Sequence, residues 1–261
     1  MSMTKYSQAP HNSPNLESRW FGYRDVSPDE KTGLVRGVFD SVADRYDIMN
    51  DFMSGGIHRL WKDRLIRQIR PRGHYSYLDV AGGTGDIAFR LRDKTLAGTH
   101  ITVLDLNENM LSAGRNRAID KGWLDDFDWI TGNAENLPLP DSAYDVYTIA
   151  FGLRNVTHID SALEEAYRVL SPGGRFYCLE FSHVSNPVLM NAYKLYSRLV
   201  IPNLGAMIAG DRESYEYLIE SIARFPDQKA LASRIENAGF TNVCYTNLSN
   251  GIAAIHQGWK V

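Results

Sequence analysis

Tyr77-Leu78-Asp79-Val80-Ala81-Gly82-Gly83-Thr84-Gly85-Asp86 carries a short apolar run into a carboxylate and then into small residues, and a helical pattern begins at Asp86. The run predicts a strand, a tight loop and a helix that together hold a nucleotide. Glycine in such a loop lets backbone atoms approach a ligand without a Cβ and adopt positive φ, while the helix start offers free N–H groups. Which nucleotide the loop holds decides the chemistry.

Downstream of this stretch, whose strand runs from Tyr75 to Val80, strands and helices alternate. The helix from Asp86 is followed by strand His100 to Leu106, helix Glu108 to Gly122, strands Phe127 to Thr131 and Tyr144 to Phe151, helix Asp160 to Leu170 and strand Arg175 to Phe181, with Pro172-Gly173-Gly174 as a turn. Alternation of this kind makes a parallel sheet covered by helices on both faces. Val188 to Ala209 and Tyr215 to Phe225 then read as helices, and Asp227 to Ala238 as a capped helix stopped by Gly239. Val243 to Leu248 and Ile252 to Trp259, joined through Asn250-Gly251, read as a hairpin. On the other side of the loop, Val35, Val38, Phe39, Val42, Tyr46 and Met49 recur at helical steps, as do Ile57, Leu60, Trp61, Leu65 and Ile69 before the breaker at Pro71. The expected fold is α/β. It is a Rossmann-like, seven-stranded sheet, mostly parallel with a C-terminal antiparallel hairpin, plus N-terminal helices and a helical insertion, which is the layout of class I methyltransferases. Residues 1–30 read as a loose tail and 31–261 as one domain, with 31–72 as a helical cover and 188–225 as the insertion.

With 44% hydrophobic residues in 261, the chain can bury a full core. A net charge of −3 gives no basic field, which argues against a nucleic-acid partner. Cys178 and Cys244 match no metal or redox spacing and read as free thiols in a reducing compartment. The N-terminus lacks the apolar core of an export signal, and no run of apolar residues is long enough to span a bilayer; the nearest approach, Val188 to Ala209, is broken by Lys194, Arg198 and Pro202.

Gly83-Thr84-Gly85-Asp86-Ile87-Ala88 also fits the G-x-G-x-x-A fingerprint of dinucleotide enzymes. Yet Asp79 and Asp86 put carboxylates where a pyrophosphate would want none. They suit a ligand with cationic groups, such as the amino group and sulfonium of S-adenosylmethionine, and capping or loop bonding is their simpler structural explanation. Asp105, twenty residues beyond Gly85, is placed to accept two ribose hydroxyls. Asn133 followed by Ala134 suits an adenine edge and face, or an ordinary turn.

Several longer stretches resemble the ubiquinone/menaquinone biosynthesis C-methyltransferases. They are Phe39 to Asp51, Gly56 to Lys62, Leu78 to Asp86, Phe151-Gly152-Leu153-Arg154-Asn155-Val156-Thr157, Arg168 to Arg175, Leu179-Glu180-Phe181-Ser182, Tyr217 to Ile222 and the tail from Asn247 to Gly258. The resemblance implies S-adenosyl-L-methionine as methyl donor, held by Asp79, Gly83, Thr84, Asp105, Asn133 and Ala134. A further donor contact, often Ser in the family, falls on Ala150, which offers no hydroxyl. It also implies a polyprenyl hydroquinone substrate methylated on a ring carbon, of the 2-methoxy-6-polyprenyl-1,4-benzoquinol or demethylmenaquinol type.

Carbon methylation needs an electron-rich ring. No metal is expected, since the sequence offers no ligand cluster. Arg154, past the fourth strand of the sheet, is the candidate to stabilise a phenolate, with a structural ion pair as its alternative. Asn155 is the candidate to orient the same oxygen and Tyr46 to cover the ring. His58, His158 and His183 are given no role. The apolar surface of Val188 to Ala209 suits a prenyl channel, a membrane surface, a homodimer contact or a quinone-biosynthesis complex, and the expected location is the cytoplasm, peripheral on the inner face of the membrane. Two other readings stay open: a nicotinamide-dependent oxidoreductase, and a non-catalytic assembly protein on the same fold.

Overall fold

The computed structural model describes residues 20–21, 24–27, 30–31, 33–35, 37, 56–96, 98–184 and 212–261. Its centre is a seven-stranded sheet. In chain order the strands are β3 (Tyr77–Val80), β4 (Ile101–Asp105), β5 (Phe127–Thr131), β6 (Tyr144–Ala150), β7 (Leu170–Phe181), β8 (Thr241–Leu248) and β9 (Ala253–Trp259). Their spatial order is β5-β4-β3-β6-β7-β9-β8. The first five are mutually parallel, and β9 runs antiparallel to both β7 and β8. The order reverses between β3 and β4 on one side and β6 on the other, and ligands of such sheets collect at that switch, beyond the strand C-termini.

β3 is buried on both faces, which explains why its sequence is a continuous run and not an alternation. The helices α1 (His58–Ile69), α2 (Asp86–Arg92), α3 (Glu108–Asp120), α4 (Ile159–Val169), α5 (Arg212–Arg224) and α6 (Gln228–Asn237) flank the sheet. Asn107 caps α3, accepting from the N–H groups of Asn109 and Met110, and Asp227 caps α6 through Ala230 N–H. The hairpin turns where expected, through a short 3₁₀ turn at Ser249–Gly251 with Asn250 at φ 57°.

Two departures concern the edges. Residues read as a loose tail contain a small antiparallel pair, β1 (Trp20–Phe21) with β2 (Arg24–Asp25), and Phe21 is buried with its ring stacked on Tyr217 at 4.2 Å. Apolar burial and ring stacking hold this segment down despite its polar neighbours. The strand β7 also begins five residues earlier than the turn signal suggested, because Leu170 pairs with Tyr144 before Pro172-Gly173-Gly174 bulges out of register. Most of the expected helix from Val35 to Met49, and all of Val188 to Ala209, lie outside the described residues.

Candidate active site

At the switch point the C-terminal ends of β3, β4, β5 and β6 open into one cavity. Its wall includes Asp79, Gly83, Thr84, Asp105, Asn133, Ala134, Ala150 and Asn155, residues from four strand ends and the loops that follow them. Among the predicted site residues, Arg154 is not in that wall and Tyr46 lies outside the described residues.

Asp79 is fully buried near the end of β3. Its Oδ1 accepts from Thr148 Oγ1 at 2.8 Å, while Oδ2 has no hydrogen-bond partner. Removal from water pushes its pKa up to about 7, against the pull of the Thr148 bond, of the Ala88 N–H at the start of the next helix and of Lys62. A buried carboxylate oxygen without a donor is a costly arrangement unless a ligand supplies one. The chain then turns sharply. Ala81 takes a left-handed φ of 51° and Gly83 one of 55°, and the Gly83 N–H donates to Asp105 Oδ2 at 2.9 Å.

Asp105 also accepts from Asn107 N–H at 2.9 Å, so two backbone donors hold its carboxylate at the cavity edge. Desolvation raises its pKa to about 6 despite those bonds. Asn133 uses its Oδ1 on Glu135 N–H in an Asx turn, which leaves its amide N–H₂ as the donor for a ligand. Asp86 is a different case. Lys62 Nζ lies 2.6 Å from Oδ2 and Arg90 Nε 2.9 Å from Oδ1. Burial pushes Asp86 upward, but these two cations outweigh it and hold its carboxyl below the ordinary value. Its charge is therefore already compensated, and it is not a second Asp79.

At the far end, Leu153–Asn155 forms a 3₁₀ turn directly after β6. The Arg154 guanidinium, fully buried, donates to Glu180 Oε1 at 2.7 Å and to the Phe151 carbonyl at 2.5 Å. Burial raises the Glu180 pKa in opposition to the Arg154 charge. The guanidinium expected on a substrate oxygen instead pairs with Glu180 and is not among the residues of the cavity wall, so the geometry found is that of the ion-pair alternative. Asn155 does reach the wall. Its Oδ1 accepts from Tyr217 Oη at 3.1 Å and its Nδ2 donates to the Phe151 carbonyl at 3.5 Å, which leaves one amide N–H for a ligand. The two loops meet at Gly152, where an added Cβ would collide with the Ala81 Cβ.

Sequence reasoning missed Lys62, Thr148 and Tyr217. None sits at a diagnostic spacing from the glycine loop; only the resemblance stretches contain Lys62 and Tyr217.

A cradle of glycines, a buried acid with a vacant lone pair, and a second acid on the next strand fit the ammonium and ribose of S-adenosylmethionine. The architecture matches as well: a solved S-adenosylmethionine-dependent methyltransferase from Thermotoga maritima superposes with a TM-score of 0.62 at 20% identity, covering 87% of this chain and all of that one. The fold is that of the class I S-adenosylmethionine-dependent methyltransferases. The family is narrower than the class. The model of the ubiE/COQ5 methyltransferase family matches residues 25–260, and the chain belongs to that family. Relatives named ubiquinone/menaquinone biosynthesis C-methyltransferase from Methylobacterium nodulans and Brucella abortus are 58% and 55% identical over 92% of this chain, covering 96% and 90% of their own lengths. The nicotinamide reading falls with this result, and the antiparallel β9 is its structural counterpart. The non-catalytic reading falls too: the chain is an enzyme of the methyltransferase class.

Proposed function

We propose that the enzyme methylates a ring carbon of a polyprenyl hydroquinone, of the 2-methoxy-6-polyprenyl-1,4-benzoquinol type, the demethylmenaquinol type, or both. The relatives' names support the substrate class. The observation that carries the chemistry is one cavity that joins the donor residues of β3, β4 and β5 to the Asn155 turn after β6.

The donor supplies a methyl group on a positively charged sulfur: as an electron-rich ring carbon attacks in line, the methyl–sulfur bond breaks to leave neutral S-adenosylhomocysteine, and the methylated carbon then gives up its proton to water. Asp79 holds its ammonium, Asp105 the ribose and Asn133 the adenine edge. Asn155, its amide fixed by Tyr217 and the Phe151 carbonyl, donates its remaining N–H to a phenolic oxygen and so favours charge building on the ring. Arg154 and Glu180 act through the turn: their ion pair fixes the backbone that presents Asn155. They are positioning residues. Val35 and Phe151 give the cavity an apolar lining that suits a ring and excludes water.

The prenyl tail needs apolar surface, and Val188 to Ala209 is the segment whose composition supplies it, either as a channel or against the membrane. No described helix is long and apolar enough to cross a membrane. Contact at a bilayer surface, a homodimer, and membership of a quinone-biosynthesis assembly all agree with a lipid-borne substrate. Liposome flotation of a variant charged at Leu195 and Leu199 tests the membrane contact, and unchanged binding would remove it.

Product analysis decides the substrate. Incubation with methyl-labelled donor and each demethylated quinol is expected to place the label on a ring carbon of at least one of them. Label on neither, or on oxygen, would overturn the proposal.

A further inference from the structure

We infer that Lys62 recognises the carboxylate of the donor's amino-acid end, an assignment that rests on the donor reading above. The first argument is charge complementarity. The described wall of the cavity carries four acids, Asp79, Asp86, Asp105 and Glu135, against one cation, Lys62. The donor carries two positive groups, an ammonium and a sulfonium, and a single negative one. Its positive groups have acids to meet; its carboxylate has Lys62.

The second argument is placement. Lys62 sits on α1, outside the strand-loop-helix unit, yet is only 4% exposed. The preceding residue bolts the helix in place: Trp61 Nε1 donates to Ser249 Oγ at 3.0 Å, and its ring lies edge-on to Phe181 at 5.9 Å. The ammonium therefore enters the cavity beside Asp79 from a fixed direction, so the two residues can take the two ends of one α-amino acid.

The third argument is that Lys62 can be shared. An ammonium has three N–H donors, and among the described residues Asp86 accepts one of them. Asp86 keeps Arg90 as a second cation at 2.9 Å, and Arg90 also pairs with Asp63. When Lys62 turns part of its charge to a ligand, the half-buried Asp86 is not left uncompensated. A strut needed only to hold α1 against α2 would not have to line the cavity.

Calorimetry with S-adenosylhomocysteine and with its decarboxylated analogue, which keeps the ammonium and lacks only the carboxylate, separates the roles. The wild-type protein is expected to prefer the carboxylate-bearing ligand by about tenfold or more, the range of a charge-assisted contact. Lys62→Met should bring the two affinities within about twofold of each other. Lys62→Met/Asp86→Asn, which also removes the anion that would be left with Arg90 alone, should show the same loss of discrimination and guards against a folding defect. If Lys62→Met discriminates as the wild type does, or weakens both ligands equally, the assignment is wrong. A wild-type protein that binds both ligands equally also overturns it while leaving the donor reading intact; one that binds neither overturns the donor reading itself.

Discussion

The two ends of the cavity treat buried charge in opposite ways. On β3, Asp79 is sealed from solvent with one oxygen bonded to Thr148 and the other without a donor. On β7, Glu180 is equally sealed, but Oε1 takes Arg154 Nη1 and Phe181 N–H while Oε2 takes Arg154 N–H. Both carboxyls are pushed up by burial. The difference is the counter-charge. A buried acid that the fold completes is scaffold, and one left with a spare lone pair at a cavity wall is the candidate to meet a ligand's donor.

Removing one partner of the completed pair tests this contrast hardest. Glu180→Gln leaves the Arg154 charge buried and uncompensated and is expected to lower the unfolding free energy by about 3–5 kcal/mol in denaturant titrations. Asp79→Asn should do the reverse. It is expected to fold at least as stably as the parent, yet bind S-adenosylhomocysteine about 30- to 100-fold more weakly, as loss of a charge-assisted bond requires. If Asp79→Asn unfolds and Glu180→Gln does not, the contrast is inverted and the site assignment with it.

Titration sharpens the same point at smaller amplitude. With Asp79 at about 7, lowering the pH from 8 to 6 protonates the carboxylate that a cationic ligand needs, so affinity should fall by up to about tenfold. Asp79→Asn should flatten that profile. The ligand-free fold has the opposite sign: a folded pKa above the ordinary 3.8 means a contribution to stability that is full at low pH and is lost as pH rises toward 7. Thermal melts of the empty protein between pH 5 and 7 check it. The smallest expected effect is at Tyr217. Tyr217→Phe removes one hydrogen bond to Asn155 and should lower kcat about 3- to 10-fold while donor affinity stays constant. An equal fall in donor affinity would make Tyr217 a general packing residue.

The donor end was legible in the sequence because local chemistry writes it there. A strand that must end in small residues, an acid at the end of the next strand and an Asn-Ala step each follow from backbone geometry over a few residues. The acceptor end depends on pairs remote in sequence. Arg154 finds Glu180 26 residues away, and Asn155 finds Tyr217 62 away. One signal was available: Glu180 interrupts the apolar run Cys178-Leu179-Glu180-Phe181, and an acid within a buried strand demands a cation. Arg154, at the end of the neighbouring parallel strand, is the residue that meets this demand. Lys62 gave no comparable sign, since a lysine on an amphipathic helix ordinarily faces water, and Phe21 was hidden by its polar neighbours.

Gly152 sets a length. With a side chain there, the turn that follows β6 could not rest against Ala81, and the Asn155 turn would lift from the glycine loop after β3. Methyl transfer tolerates little slack along the line of attack. One absent carbon atom is therefore the gauge block of this enzyme, and Gly152→Ala would widen the gap between the two loops while keeping every polar side chain of the cavity wall.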